Sequence, residues 1–166
     1  TATGSTTATA LFSGIAFDVT NAVKLKTVTV YPKNTTLLTP ITISLFDSTG
    51  NIVAGTAPVT FTPTLNTGTI GTVSQLVTLN YNIPVGNSYR LVVTNGLAAT
   101  NNFLGNSATA ITYPSGNIIR LTGNVTNLSG AVTTSAVITS CFHNLTFDEI
   151  CETVRVPVTA TVTAAT

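Results

Sequence analysis

The chain has 166 residues and a net charge of +1, and only 7% of its residues are charged, whereas 43% are apolar. That length and apolar content suit one domain with a packed core and argue against disorder. Scattered basic residues give no phosphate-tracking patch, which argues against a nucleic-acid partner, and no apolar run of about 18 residues is present to span a membrane. The abundant threonine is β-branched and therefore favours strands over helices.

The first predicted strand lies between residues 23 and 30. Val23 and Leu25 follow one alternation of apolar and polar residues, whereas Val28 and Val30 follow the opposite one. Since side chains alternate between the two faces of a strand, this change of phase predicts a bulge or bend near Lys26.

A second strand and a turn follow. Ile41, Ile43 and Leu45 alternate with polar residues, which predicts a half-buried strand. Residues 47–51 (DSTGN) are typical of a turn, and the return strand is expected to begin at Ile52.

The clearest alternation lies on either side of the turn at 84–87. It predicts two adjacent strands with one buried face, whose residues are Val77, Leu79, Tyr81, Ile83, Tyr89, Leu91 and Val93. Further strands are expected at 110–113, 118–121, 136–147 and 154–162. The Asn-, Gly- and Thr-rich stretches 62–74, 95–106 and 124–134 are expected to be loops.

About nine or ten strands at spacings near ten residues predict an all-β fold, an antiparallel β-sandwich of jelly-roll-like type. A closed barrel is the alternative. We expect a single module over residues 10–162. Residues 1–9 are expected to be a linker or an edge strand donated to a neighbour, and residues 163–166 a linker to the next module.

The final predicted strand has the longest unbroken alternation. Its inward-facing residues are expected to be Val154, Val156, Val158 and Val162, and its outward-facing residues Arg155, Thr159 and Thr161. Pro157 has no N–H to donate, so at least part of this strand is expected at a sheet edge.

The two cysteines, Cys141 and Cys151, allow three interpretations. They are expected to form a disulfide in an oxidising compartment or to be two buried thiols; a metal site would need more ligands than the nearby His143 supplies.

Residues that usually support catalysis are few. Asp148, Glu149 and Glu152 cluster near His143 in the sequence, but they surround one expected hairpin turn, where charge usually marks a solvated loop rather than a pair of catalytic groups. We therefore predict no catalytic residue and no enzyme activity, although the candidates would be Asp18, Asp47, Asp148, Glu149, Glu152 and His143.

Two binding sites are weaker hypotheses. Asp18 and Asp47 could each supply one ligand to calcium, although both also suit turns, so the prediction is no metal and no required cofactor. Tyr31 and Tyr113 each precede a proline and could present an aromatic surface to a carbohydrate, whereas Tyr81 is expected in the core.

Four segments in chain order carry a resemblance to a known family. They are GIAFDVTNAVKLKTVTVYP (14–32), ITISLFDSTGNIV (41–53), LVTLNYNIPVGNSYRLVV (76–93) and CETVRVPVTATV (151–162). Together they resemble the repeated immunoglobulin-like or jelly-roll modules of very large cell-surface proteins of Bacteroidota, which include gliding-motility adhesins and other type IX secretion substrates. In that family the last segment closes one module. This chain departs from the pattern in having Phe142-His143-Asn144-Leu145 on the penultimate strand, where a tryptophan is common, and in the additional Cys141.

The resemblance implies an extracellular, cell-surface location, no enzyme activity, and a role in cell adhesion or in spacing an adhesive region. It implies neighbouring modules as partners, with surface polysaccharide or other proteins as further candidates. The O-glycosylation of such proteins also implies Ser48, in Asp47-Ser48-Thr49, as an acceptor; the alternative is simply a turn.

Two further functions stay open. Low charge and high threonine content also suit a filament or coat subunit that assembles by exchange of the strand formed by residues 1–11. A carbohydrate-binding module is the other alternative. Because the sequence contains no methionine, we expect it to be a processed product or an excised module.

Overall fold

A computed structural model describes residues 7–8, 13–34, 39–97, 102–106, 118–125, 128, 133–134 and 140–150. Within these residues the chain forms strands and no helix. It follows that the described part contains no helix long and apolar enough to cross a membrane. The predicted strands at 110–113 and 154–162, with the predicted orientation of Val156 and its neighbours, lie outside the described residues and stay predictions.

The described residues form twelve strands. Their bounds are β1 Thr7–Ala8, β2 Gly14–Val19, β3 Val23–Val30, β4 Pro32–Asn34, β5 Ile41–Phe46, β6 Val59–Phe61, β7 Gln75–Ile83, β8 Gly86–Asn95, β9 Asn102–Gly105, β10 Ile119–Val125, β11 Thr133–Thr134 and β12 His143–Glu149.

The strands form three antiparallel sheets rather than one closed barrel. Six strands pair in the order β11-β10-β2-β8-β5-β6, three pair as β12-β3-β7, and three short ones pair as β1-β9-β4. The chain passes between the six-stranded sheet and the β12-β3-β7 sheet from β2 to β3 and again from β7 to β8. The expected all-β fold, an antiparallel β-sandwich, is therefore confirmed.

The core lies between the two larger sheets and confirms the predicted alternation. Val77, Leu79, Tyr81 and Ile83 are buried, and the residues between them on β7 are exposed. The facing sheet contributes inward residues of β2, β5 and β8, all in one apolar cluster: Ile15, Phe17, Ile41, Ile43, Leu45, Tyr89, Leu91 and Val93. Burial of apolar side chains on these alternating positions is the main source of stability, since each contributes roughly 1.5–3 kcal/mol.

The bulge predicted near Lys26 is present. In the pairing of β12 with β3, Lys26 is the extra residue, because the adjacent Phe147 and Thr146 lie opposite Leu25 and Thr27; the pairing of β3 with β7 also shifts register there. On β7 the opposing Asn80 has a positive φ of 55°, a conformation that asparagine tolerates better than most residues. Because of the shift, Val23 and Val28, which belong to opposite phases of the sequence pattern, both reach the core.

The predicted loops have mixed outcomes. Residues 62–74 contain no strand, as expected. The expected loop at 95–106 is wrong, because it contains β9, which pairs with β1 and β4. The loop expected at 124–134 is also partly wrong, since β10 continues to Val125 and Thr133–Thr134 form β11. β9 has four residues and β11 has two, so their pairing with distant segments decides their conformation, whereas their own sequence does not.

Candidate functional site

The hairpin turn after β5 is organised around one carboxylate. Oδ1 of Asp47 accepts hydrogen bonds from the backbone N–H of Thr49 at 2.9 Å and of Asn51 at 3.0 Å, and from the Thr49 hydroxyl at 2.7 Å. The Thr49 hydroxyl and these backbone bonds hold the pKa of Asp47 below its usual value, because they favour the charged carboxylate. Asp47 therefore stabilises its own turn, as the DSTGN pattern predicted.

Ser48, the predicted glycosylation acceptor, lies at this turn and is exposed. The neighbouring Thr49 hydroxyl is already bonded to Asp47. Of these two adjacent hydroxyl groups, Ser48 is thus the one whose modification would leave the hydrogen bonds of the turn in place.

Asp18, the other predicted calcium ligand, is also engaged by the fold. Its Oδ1 accepts the backbone N–H of Ser88 at 2.9 Å, and this bond joins β2 to the start of β8. Ser88 has a positive φ of 58° there. Among the described residues no group of three or more His, Cys, Asp or Glu side chains could hold a metal ion. Calcium binding by Asp18 and Asp47 stays untested.

The acids near the C-terminal part of the chain do not converge on the histidine. β12 extends through Glu149, so Asp148 and Glu149 lie on a strand rather than in the expected turn. Oδ2 of Asp148 lies 3.1 Å from Nζ of Lys26, and Oε1 of Glu149 accepts Nδ2–H of Asn21 at 3.1 Å. Glu152 lies outside the described residues.

His143 connects two sheets. Its Nε2 lies 3.0 Å from the carbonyl oxygen of Gly105 on β9, and its ring packs edge-on against Tyr31 with centroids 4.9 Å apart. Burial lowers the pKa of His143, because the charged imidazolium loses hydration there, although the bond to Gly105 opposes the shift. This geometry assigns the histidine to the junction of β12 with the β1-β9-β4 sheet.

Cys141 is buried in the main core beside β12. Among the described residues it has no disulfide partner, and burial raises the pKa of its thiol to about 12, which suppresses the reactive thiolate. Its proposed partner Cys151 lies outside the described residues, so the disulfide stays a prediction.

The tyrosines divide as the sequence predicted where they are described. Tyr81 and Tyr89 are buried, and the Tyr81 hydroxyl donates to the carbonyl of Ile43 at 2.9 Å. Tyr31 is half-buried and its ring contacts His143, and carbohydrate binding by this ring stays a hypothesis. Tyr113 lies outside the described residues.

A pair of buried asparagines was missed by the sequence analysis. The backbone N–H of Asn66 donates to Oδ1 of Asn34 at 2.9 Å, and the backbone N–H of Asn34 donates to the carbonyl of Asn66 at 3.0 Å. Nδ2 of Asn34 reaches the carbonyl of Thr64, and Nδ2 of Asn66 reaches that of Pro32. We call this pair the asparagine clamp, because it fixes the 62–74 loop to β4. Both asparagines stand in polar, loop-like sequence, and no local pattern links them.

A buried arginine was also missed. Arg90 is 1% exposed and lies on β8 beside Ala16 of β2 and Phe46 of β5. The same outer face of the six-stranded sheet carries a second small apolar cluster, formed by Ala16, Phe46, Val92 and Val125 with Leu128 packed against it. The alternation of β8 did place Arg90 opposite the core residues Tyr89 and Leu91, but an outward position usually means an exposed one.

An open concavity of about 420 Å³ lies beside the β5–β6 connection. It is lined by residues 52–57, a single loop with mostly small apolar side chains. The loop hydroxyl of Thr56 donates back to the carbonyl of Val53 at 2.7 Å. Among the described residues, no carboxylate or imidazole lines this concavity.

Comparison with known proteins gives no relative. No family model matches the chain, and no curated protein sequence and no solved structure matches it.

Proposed function

We propose that the chain is a non-catalytic structural or adhesive module of a large bacterial cell-surface protein, where it spaces or presents adhesive regions. The observation that supports this most is that the four described carboxylates make separate contacts within the fold. Asp18, Asp47, Asp148 and Glu149 each bond to a different partner that belongs to the fold, a backbone N–H, a turn, a lysine or an asparagine. Catalytic carboxylates instead converge on one cleft.

The outer face of the β12-β3-β7 sheet supports the same proposal. Its polar side chains bond to one another across strands: the Thr27 and Thr146 hydroxyls are 2.6 Å apart, and Lys26 pairs with Asp148. Such a surface is hydrated by neutral hydroxyl and amide groups and needs little net charge. A secreted module repeated along one chain would be kept soluble in this way without accumulating charge.

Ser48 glycosylation belongs to the same proposal. The exposed position of Ser48 at a turn suits a modifying enzyme, and a glycan there would extend into solvent. Peptide mass spectrometry of protein isolated from its native cells should find the 47–50 peptide modified at Ser48. Full recovery of the unmodified peptide would remove this part of the proposal.

The filament alternative makes a different prediction about association. In the described structure Thr7–Ala8 form β1 and pair with β9 of the same chain. If the module acts in one long chain, the purified protein should be monomeric by light scattering at all concentrations, with or without residues 1–11. Concentration-dependent oligomers that disappear when residues 1–11 are removed would favour the filament subunit instead.

The sequence of the parent gene provides a second, independent test. A spacer or adhesive module of a large surface protein should be flanked by similar β-sandwich modules in the same reading frame. A gene that encodes this module alone, with no surface-anchoring or sorting region, would contradict the proposal.

A further inference from the structure

One dipeptide at the end of β8 combines chemical reactivity with exposure. Asn95 is the one asparagine of the fifteen in the chain that a glycine follows. It is exposed and is the last residue of β8, where it lies opposite Thr42 of β5. Asparagine is a thermolabile residue, because its side-chain amide can be attacked by the backbone nitrogen of the next residue. Glycine in that position offers the least steric resistance.

The local geometry brings the two reacting groups together. The backbone N–H of Gly96 donates to Oδ1 of the preceding Asn95 at 2.9 Å. The carbon attacked in the reaction, Cγ, is bonded to this oxygen at about 1.2 Å, so it lies no more than about 4 Å from the Gly96 nitrogen. This approaches the separation of about 3–3.5 Å at which bound groups react readily.

The glycine is required by the fold. Gly96 has a positive φ of 88°, and a Cβ atom at this position would lie 2.1 Å from the carbonyl oxygen of Pro40 and 2.8 Å from Cα of Ile41. No larger residue fits there without displacing the backbone that leads into β5. The fold therefore keeps the most reactive partner for Asn95 at a position where other residues are excluded.

We propose that Asn95 is a site of spontaneous deamidation in the folded protein. The Gly96 nitrogen loses its proton and bonds to Cγ of Asn95, the bond from Cγ to Nδ2 breaks, and ammonia leaves with that proton. The resulting five-membered succinimide is opened by water at either carbonyl. One product is aspartate, and the other is isoaspartate, in which Cβ of residue 95 has entered the main chain. No enzyme and no oxidant is needed.

The two products differ in their effect on the fold. Either one lowers the net charge from +1 by one unit, which matters in a chain with 7% charged residues. Isoaspartate also lengthens the main chain just before Gly96, whose backbone packs closely against Pro40 and the fully buried Ile41. Isoaspartate should therefore loosen the β5–β8 edge, whereas aspartate should leave it in place.

The chain contains its own control for the proposal. Asn87 is also exposed and is followed by the small residue Ser88. The Ser88 N–H, however, donates to the Asp18 carboxylate at 2.9 Å and is thereby held to a group other than the Asn87 amide. Asn87 should stay intact under conditions in which Asn95 reacts. The variant Asn95→Gln supplies a second control, because its cyclisation needs a larger and less favourable ring.

The test is a time course of the folded full chain at mildly alkaline pH, beside the same chain in urea, followed by peptide mass spectrometry with fragmentation that separates aspartate from isoaspartate. We expect Asn95 to be the first asparagine converted in the folded protein, with release of ammonia that is lost in Asn95→Gln. The proposal is overturned if Asn95 stays an amide in the folded protein while it converts in urea. It is equally overturned if Asn87 or another asparagine converts first in the folded protein.

Discussion

Two polar regions of this sandwich stabilise it in different ways. The turn at 47–51 is organised by Asp47, which bonds to residues two and four positions further along the chain. The asparagine clamp joins Asn34 to Asn66, which are 32 positions apart, and is buried. The turn bonds are exposed and local, so water can replace them, whereas the clamp bonds have no such substitute. Polar groups of one chemical kind can therefore differ greatly in their contribution to stability.

The largest effect should come from removing the clamp. Asn34→Ala leaves the buried Asn66 N–H without its acceptor and the part-buried Thr64 carbonyl without its donor, so we expect a loss of about 1–3 kcal/mol of unfolding free energy. Urea melts would measure it. The matched control is Asn82→Ala, at an exposed position of β7, which should change stability by no more than about 0.5 kcal/mol. Equal losses for the two variants would mean that the clamp is not a special feature.

A second effect concerns the same end of the sandwich and depends on pH. His143 has a lowered folded pKa, caused mainly by burial, so the unfolded chain takes up a proton first as the pH falls through 6.5. The free energy of unfolding should therefore decrease as the pH drops from 7 through 6.5 and should level off below the folded pKa. His143 is the one histidine of the chain, so His143→Gln should flatten this change. Urea melts at several pH values would show a persistent slope in the variant if another group were responsible.

The turn should give a smaller change that occurs in a different pH range. The folded pKa of Asp47 lies below 3.8, so the stability that its carboxylate contributes is complete above 3.8 and is lost as the pH falls through the folded value. Asp47→Ala should be less destabilising than Asn34→Ala at neutral pH. Asp47→Asn keeps an acceptor oxygen but cannot titrate. In this variant the unfolding free energy should therefore fall less than in the wild type as the pH drops below 3.8. An Asp47→Ala loss as large as that of Asn34→Ala would remove the contrast between the two regions.

The smallest effect is expected at an ion pair that is non-local but exposed. The side chains of Lys26 and Asp148 are 47% and 58% exposed, so water and salt screen their attraction. Asp148→Asn should change the unfolding free energy by about 0–1 kcal/mol. Because this ion pair is exposed but joins residues far apart in the sequence, the variant shows whether burial or sequence distance determines the loss of stability. A loss comparable to that of Asn34→Ala would show that distance along the chain, rather than burial, sets the effect.

The same contrast explains what could be predicted from the sequence. The buried face of β7 and the DSTGN turn were predicted because alternation and turn chemistry are local properties. The bulge near Lys26 was predicted because a register change leaves a trace in that alternation. The β1-β9-β4 sheet and the clamp were missed, since the strands of this sheet have only two to four residues and form by contact with distant segments. The alternation of β8 is consistent with the position of Arg90 on the outer face of the sheet. Its burial, however, depends on residues of other strands that cover this face, and the sequence of β8 does not reveal them.

The candidate site could be predicted mainly by elimination. The sequence predicted no catalytic residue because its acids are few and scattered. In the structure Asp18, Asp47, Asp148 and Glu149 make separate contacts, and the absence of enzyme activity stays a prediction. The sequence did not indicate that His143 joins two sheets, because the partners of the imidazole, Gly105 and Tyr31, come from distant strands.

The proposed role as a surface module is tested most directly by exchanging the whole module in its parent protein. Bacterial adhesion to a surface would be measured for cells that have the intact parent, a deletion of this module, or its replacement by an unrelated monomeric β-sandwich of equal length. A spacer predicts that deletion weakens adhesion and that replacement restores it, while an adhesive module predicts loss in both. Adhesion that is unchanged by deletion would contradict a spacing or presenting role altogether.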